Sequence, residues 1–285
     1  MKHAIQLPVI KISGTTLQSG EDSLAVEEPL EIRLAYGPVV SRRIHNLAVT
    51  MRTPGNDAEL AAGFLFTEGI IEKYAAIEKI AHGSTAANDE NIILVTLHET
   101  VTPNLTQSDR NFYTTSSCGV CGKASINAIR TVRSAVTQPW VGDPISLALI
   151  NSLPDQLIGQ QKIFATTGGL HAATLFNDAG DLLLLREDVG RHNAVDKLIG
   201  AALDRTAIDF PGTILLLSGR ASFELVQKAA MAGIPVIAAV GAPSSLAVSL
   251  AAEFGITLIG FLRNNRFNIY TAAHRIQLPV YENTY

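Results

Sequence analysis

The chain holds two cysteines, and they stand three positions apart in Cys118-Gly119-Val120-Cys121. A thiolate, not a thiol, is the nucleophile and the metal ligand, so whatever lowers the thiol pKa decides what such a pair does. Gly119 and Gly122 let the backbone turn tightly around the sulfurs. Residues 123–133 read as a helix, which would place both thiols at its positive N-terminal end. Lys123 adds charge there. Three chemistries are open: a reversible disulfide, half of a zinc site, or a persulfide carrier. Zinc needs four ligands, and His171 or His192 would have to complete the set, although neither belongs to a paired histidine motif. Two ordinary buried cysteines in a loop are the plainer alternative.

A second cluster, Arg186-Glu187-Asp188-Val189-Gly190-Arg191-His192-Asn193, directly follows the apolar run 182–185. A solvated turn capped by Asp188 would explain it. As a site, Asp188 would accept paired hydrogen bonds from a guanine-like edge while Arg191 faces phosphate. His192 would then serve as proton shuttle or hydrogen-bond partner. Ser218-Gly219-Arg220-Ala221-Ser222 reads as a strand-to-helix junction, where helix-start amides beside Arg220 suit an anion. It lacks the Gly-Lys-Ser/Thr ending of a Walker loop, and simple capping also accounts for it. Gly168-Gly169 would admit a ligand close to the backbone, with His171 beside it; a lone histidine is more often structural. Arg263 and Arg266 lie beyond the last apolar strand and would grip phosphates or act as ordinary surface residues.

These residues need a scaffold. Residues 1–13 alternate apolar and polar and read as a strand, and 30–36 with 39–51 read as a hairpin around Gly37-Pro38. Asn56 or Asp57 would cap a helix whose apolar face uses Leu60, Ala61, Phe64 and Leu65 and which Glu68-Gly69 ends. Residues 91–97 form another strand, and the polar stretch 101–110 with Pro103 reads as a linker. In the second half, 162–166 and 182–185 read as short strands and 193–203 as a helix. Residues 213–217, 224–232, 235–240, 244–254 and 256–261 read as strand, helix, strand, helix, strand. Such a run implies a parallel sheet with right-handed crossovers and a site at the carboxyl ends of its strands.

Hydrophobic residues make up 47% of the 285 residues and charged residues 17%, a balance that excludes a disordered chain. A net charge of −4 gives no global attraction to nucleic acid or anionic membrane. No secretory leader is read at the start, and no apolar run is long enough to span a bilayer. A cytoplasmic protein is expected, binding neither nucleic acid nor membrane. In a reducing cytosol a close cysteine pair is more often reactive or metal-binding than a structural staple.

Taken together, the blocks resemble the formate dehydrogenase accessory sulfurtransferase family (FdhD family). The blocks run from Gly63-Phe64 to Gly69-Ile70-Ile71, then the cysteine motif through Gly122, then His171-Ala172-Ala173. They continue with 187–192 plus Asp196-Lys197, Ser218 to Glu224, Gln227 to Ala230, and Gly260-Phe261 to Tyr270-Thr271. The resemblance spans roughly residues 28–275 and implies an α/β (α+β overall) protein. It would have a β-rich N-terminal domain, 1–112, and a cytidine deaminase-like three-layer α/β domain, 113–285, opening on the cysteine loop.

The resemblance further implies a sulfurtransferase. A cysteine desulfurase would load sulfur as a persulfide on Cys118; from the chemistry of the pair, Cys121 is expected to assist, either by relaying sulfur or by closing a Cys118–Cys121 disulfide as sulfide leaves. The sulfur would pass to the molybdenum cofactor in its bis-guanine-dinucleotide form, before insertion into formate dehydrogenase. Cofactor binding then falls on Phe261, Leu262, Arg263, Asn264, Asn265 and Arg266; the residue types at the strand ends, and not the resemblance, add Asp188, Arg191, His192, Ser218, Arg220 and His171 as further contacts. No permanently bound metal is expected, and a homodimer is. Deaminase chemistry is not carried over, because deaminases use His-x-Glu before Pro-Cys-x-x-Cys. Here Ala172-Ala173 follow His171 and the cysteines come earlier. From the residues alone, a thioredoxin-type oxidoreductase with Ile234-Pro235 as its proline loop, or a zinc-stapled cofactor-binding module, would use the same pair.

Overall fold

A computed structural model describes residues 3–83, 89–105, 112–113, 140, 143–205 and 208–279. In chain order the elements begin with β1 (Ala4–Ser13), β2 (Thr16–Ala25), β3 (Glu28–Tyr36), β4 (Arg43–Arg52) and α1 (Asp57–Thr67). Next come β5 (Ile77–His82), β6 (Ile92–Leu97), β7 (Phe112–Tyr113), α2 (Leu147–Gln160) and α3 (Lys162–Thr167). Then follow β8 (His171–Asn177), β9 (Leu182–Asp188), α4 (Arg191–Leu203), β10 (Thr213–Leu217) and α5 (Phe223–Ala232). The last are β11 (Val236–Ala239), α6 (Ser245–Glu253), β12 (Thr257–Arg263) and β13 (Arg266–Thr271). The fold is mixed α/β, as the sequence pattern indicates. Among the described residues no helix is long and apolar enough to cross a membrane.

The chain forms two compact units, each discontinuous in sequence. One comprises 1–131, 160–172 and 186–205, and the other 132–159, 173–185 and 206–285.

The first unit is built on a sheet of order β5-β6-β3-β4-β7 and a separate two-stranded sheet, β1-β2. In β3 the alternation places Leu30, Ile32 and Leu34 inward, all fully buried. They pack with Leu47, Leu60, Leu65, Ile93, Val95 and Leu97. Helix α1 forms where its apolar spacing predicts, but its start differs from expectation. Asn56 adopts a left-handed conformation, with φ 57°, and its side chain caps nothing. Asp57 instead turns its carboxylate to Arg52.

Residues 162–166, read from sequence as a strand, are helical. The carboxylate of Glu187 accepts from the Ile163 amide at 3.1 Å and the Phe164 amide at 2.9 Å, taking up first-turn donors that a short helix leaves orphaned. Gly168, at φ 65°, ends the helix in the left-handed conformation that glycine tolerates best.

The second unit carries most of a six-stranded sheet of order β13-β12-β11-β10-β8-β9. Strands β10, β11 and β12 are parallel, as expected; β8 and β13 run antiparallel to their neighbours. Every residue of β10 and β11 is buried, which is why both read as unbroken apolar runs. Ser244 caps α6, its Oγ accepting from the Ala247 amide at 3.2 Å. Ser222 begins α5 without a side-chain cap.

Candidate functional site

Cys118 and Cys121 lie outside the described residues, so the site is built here from the elements around the other expected groups. In the first unit the turn from β9 into α4 is held by Asp188, which is fully buried. Its Oδ1 accepts from the Gly190 amide at 2.8 Å and Asn193 Nδ2 at 3.1 Å. Its Oδ2 accepts from the Thr53 amide at 3.2 Å and pairs with Lys197 Nζ at 2.7 Å. Burial pushes the Asp188 carboxyl above its ordinary range, against the opposing pull of Lys197 and of the bonds from Gly190 and Asn193.

Lys197 also donates to the Thr53 carbonyl at 2.8 Å, and Asn193 Nδ2 to the Met51 carbonyl at 2.8 Å. Asp188, Asn193 and Lys197 thus clamp the end of β4 to the start of α4. Both Asp188 oxygens are engaged by these internal donors. The carboxylate works as the anchor of the turn, a stricter version of the capped turn that its position suggests. His192 is likewise buried, at the first turn of α4, whereas Arg191 is half-buried. His171 is half-buried at the start of β8.

The same unit contains a buried arginine that sequence reasoning passed over. Arg52 is fully buried and forks onto Asp57, Nε to Oδ1 at 3.1 Å and Nη2 to Oδ2 at 3.0 Å. Its second terminal nitrogen reaches Glu28 Oε2 at 3.3 Å. The signal in the sequence was the acidic residue five positions on, without an aliphatic register that would bury the pair. Behind this network α1 and α4 touch through glycine. A Cβ on Gly63 would lie 1.9 Å from the Asp196 carbonyl oxygen, and one on Gly200 would lie 1.9 Å from that of Glu59.

In the second unit the carboxyl ends of β10, β11 and β12 are stitched together by their loops. The Gly241 amide donates to the Gly219 carbonyl at 2.9 Å, and the Phe261 amide to the Gly241 carbonyl at 3.0 Å. The Ala221 amide reaches the Ala242 carbonyl at 3.2 Å. A Cβ on Gly241 would meet Arg220 N and Gly219 at 3.0 Å, so the two loops lie backbone against backbone. The expected strand-to-helix junction is present: Ser218 is half-buried, Arg220 exposed, and α5 follows.

The segment after β12 is a tight hairpin. Asn264 and Asn265 have φ 54° and 55°, the paired left-handed residues that match the twist of a two-residue β-turn. Arg263 pairs with Arg266 across it, and both are exposed. Phe261 is half-buried with φ 56°, a genuine outlier for a bulky residue, and Leu262 is buried. The structure therefore brings Gly219, Arg220, Gly241 and Phe261 into one stitched strand-end platform. Among the described residues no group of three His, Cys, Asp or Glu is placed to hold a metal ion.

A strand-end platform with a strained aromatic, and a clamped turn ahead of a helix, occur in many folds. Comparison with known sequences decides between them: residues 25–277 match the profile of the FdhD/NarQ family. The chain belongs to the FdhD/NarQ family. Relatives in it include a protein of Streptomyces avermitilis named sulfur carrier protein FdhD. The two are 52% identical over 280 residues, covering 95% of this chain and 94% of the relative. A Mycobacterium tuberculosis relative of the same name is 51% identical over 274 residues, covering 93% and 95%. One from Sulfolobus acidocaldarius is 42% identical over 273 residues, covering 96% and 98%. A crystal structure of a protein assigned as a formate dehydrogenase accessory protein from Desulfotalea psychrophila superposes with a TM-score of 0.71 at 25% identity. That superposition covers 97% of this chain and 100% of the other.

Proposed function

We infer that this FdhD/NarQ family member is a cytoplasmic sulfur carrier in the maturation of formate dehydrogenase, acting as a sulfurtransferase. The observation that carries the reading is the 52% identity, over 95% of the chain, to a relative named for sulfur carriage. The close pair Cys118 and Cys121 is the one feature of the sequence with the chemistry to do it.

In the first step the Cys118 thiolate attacks the terminal sulfur of a cysteine desulfurase persulfide. A new S–S bond forms as the donor's breaks, and the desulfurase cysteine leaves as thiolate. In the second step the Cys121 thiolate attacks Cys118 Sγ. The Cys118–Cys121 bond forms, the terminal sulfur takes up a proton and leaves as hydrosulfide, and the two cysteines supply the two electrons it needs. A dithiol reductant resets the pair. Delivered to the molybdenum cofactor, in its bis-guanine-dinucleotide form, that sulfide prepares the cargo for formate dehydrogenase.

The exposed Arg220, Arg263 and Arg266 suit an anionic dinucleotide, since a guanidinium meets phosphate as a two-pronged donor. Half-buried Arg191, His171 and Ser218 are second candidates for contact. Asp188 is buried and holds the turn into α4, and His192 and Leu262 are buried as well. A homodimer is the assembly proposed.

The test is incubation with a desulfurase and cysteine, followed by intact mass. Wild type gains one sulfur atom and Cys118→Ala gains none. Equal loading of the two would overturn the assignment of Cys118.

A further inference from the structure

The β1–β2 ribbon has two long edges, and they differ. The Val26 amide donates to the His3 carbonyl at 2.9 Å, and Ala4 faces Ala25 in the register. Bonded and non-bonded pairs alternate along an antiparallel ladder. The odd-numbered residues of β1 therefore bond β2, while Gln6, Pro8, Ile10 and Ile12 turn their backbone groups outward. On β2 the outward groups belong to Leu17, Ser19, Glu21 and Ser23.

Pro8 stands at one of the outward positions. It costs the ribbon no internal bond and leaves the middle of the β1 edge without a donor. Proline on an edge stops further strands from adding there. The β2 edge holds no proline. Its Ser23 amide is taken by Asp22 Oδ1 at 3.0 Å, which closes that end. Leu17, Ser19 and Glu21 remain, all exposed, and no other described strand pairs with them. The outer half of the ribbon stands clear of the body: Ile10, Ile12 and Leu17 are 65%, 72% and 66% exposed. Two strands alone are marginal in water, and three or more are needed for independent stability.

A second copy of the chain supplies the complement of this edge, which is the same edge reversed. With Ser19 on a twofold axis, Ser19 faces the partner's Ser19, Leu17 the partner's Glu21, and Glu21 the partner's Leu17. All of these positions point outward, so each open amide and carbonyl finds its mate. The two serine hydroxyls meet as a favourable cross-strand pair. The two copies of Glu21 end four positions apart along the strand, roughly 14 Å. That separation exceeds the Debye length of about 8 Å at physiological ionic strength, so their repulsion is screened. Pairing of two β2 edges leaves only β1 edges outside, and both are blunted by Pro8. The assembly is closed at two chains, as an isologous contact requires.

We propose that β2 pairs edge to edge with β2 of a second copy, giving one four-stranded sheet of order β1-β2-β2-β1. This gives the homodimer proposed above its contact. The contact does not depend on sulfur carriage, and the match to the family profile begins only at residue 25, beyond the paired segment.

Sedimentation equilibrium of the full chain measures the dimer Kd for wild type, Ser19→Lys, Ser19→Glu and an equimolar mixture of the two variants. Melting curves confirm folding, and persulfide loading by a desulfurase is read in parallel. Like charges opposed across the twofold raise the Kd of each variant alone by about tenfold or more. In the mixture lysine faces glutamate, and the Kd returns to within about threefold of wild type. A Kd unchanged in folded Ser19→Lys overturns the β2 contact and leaves the homodimer to another face. A mixture no tighter than its components overturns the twofold register. Wild type that stays monomeric overturns the contact and the homodimer together. Loading stays normal in every sample if the contact is separate from sulfur carriage; loading absent from a dimeric wild type overturns the sulfur reading and leaves the contact standing.

Discussion

Lys197 Nζ lies 2.7 Å from Asp188 Oδ2, and neither side chain reaches solvent to any extent. The pair ties the first residues of α4 to the end of β4, because Lys197 also holds the Thr53 carbonyl and Asp188 the Thr53 amide. Removing one partner leaves the other buried without compensation, a loss of about 3–5 kcal/mol. Lys197→Met is therefore expected to lower the denaturation midpoint far more than any surface lysine change, such as Lys11→Met. The double variant Asp188→Leu/Lys197→Met should recover much of the loss. Chemical denaturation of wild type, Asp188→Leu, Lys197→Met and the double variant, analysed as a double-mutant cycle, checks it.

The same carboxyl makes a pH prediction. Burial raises the folded-state pKa of Asp188 above its unfolded value, so the folded chain binds the proton more tightly. By linkage its contribution to stability is fully present below the ordinary carboxylate range and is lost as pH rises through the raised value. Subtracting the denaturation curve of Asp188→Leu/Lys197→Met from that of wild type at a series of pH values isolates this contribution. The difference should become less favourable to wild type as pH rises above the acid range. A difference that grew with pH would mean that the donors around Asp188 outweigh its desolvation.

Gly63 and Gly200 have a sharper requirement. A methyl group at either would sit 1.9 Å from a backbone oxygen of the facing helix, and backbone cannot rotate away as a side chain can. Gly63→Ala and Gly200→Ala should each cost about 3 kcal/mol or more, at the upper end of overpacking effects. Gly212→Ala, where a Cβ meets nothing within 4 Å, should stay within about 0.5 kcal/mol of wild type. Thermal melts of the three variants compare them directly.

What was legible in the sequence follows from range. Strand β3 and helix α1 announce themselves because their own residues carry the period, Leu30-Ile32-Leu34 in one and Leu60, Ala61 and Leu65 in the other. The parallel strands β10 to β12 are equally plain as apolar runs, followed by Ser218 after β10, Gly241 just beyond β11 and Asn264 after β12. Helix α3 was misread because a six-residue apolar run has no period of its own, and Glu187, which fixes it, is more than twenty positions away. Strand β2 was missed because Glu21-Asp22-Ser23 lacks apolar alternation; its register comes from pairing with β1. The candidate residues at strand ends were found from their types. Which of them face solvent was not, since Asp188 and Arg191 sit in one charged run and only the packing of α4 separates them. The close approach of Pro243 and Tyr270 to Gly260 accompanies breaks in the β12–β13 register, which leave no mark on composition.

The two cysteines should be separable by where sulfur stops. With Cys118 as acceptor and Cys121 as the group that expels sulfide, Cys121→Ser still takes one sulfur from the desulfurase but holds it. Intact mass should show persulfide accumulating to a higher level than in wild type, and hydrosulfide release should fall to background. Cys118→Ser should show neither loading nor release. Interchanged phenotypes would reverse the order of the two thiols.

Charge around the β12–β13 hairpin should tune ligand affinity in a salt-dependent way. Arg220, Arg263 and Arg266 are exposed, so their attraction for phosphate is screened over a Debye length of about 8 Å at physiological ionic strength. Each Arg→Gln change should weaken GDP binding several-fold in dilute buffer and progressively less as salt is raised, because the variant has less screened attraction to lose. Titrations of the three variants at rising sodium chloride check it. A penalty that stayed constant as salt rose would show that the arginines contribute packing, not charge.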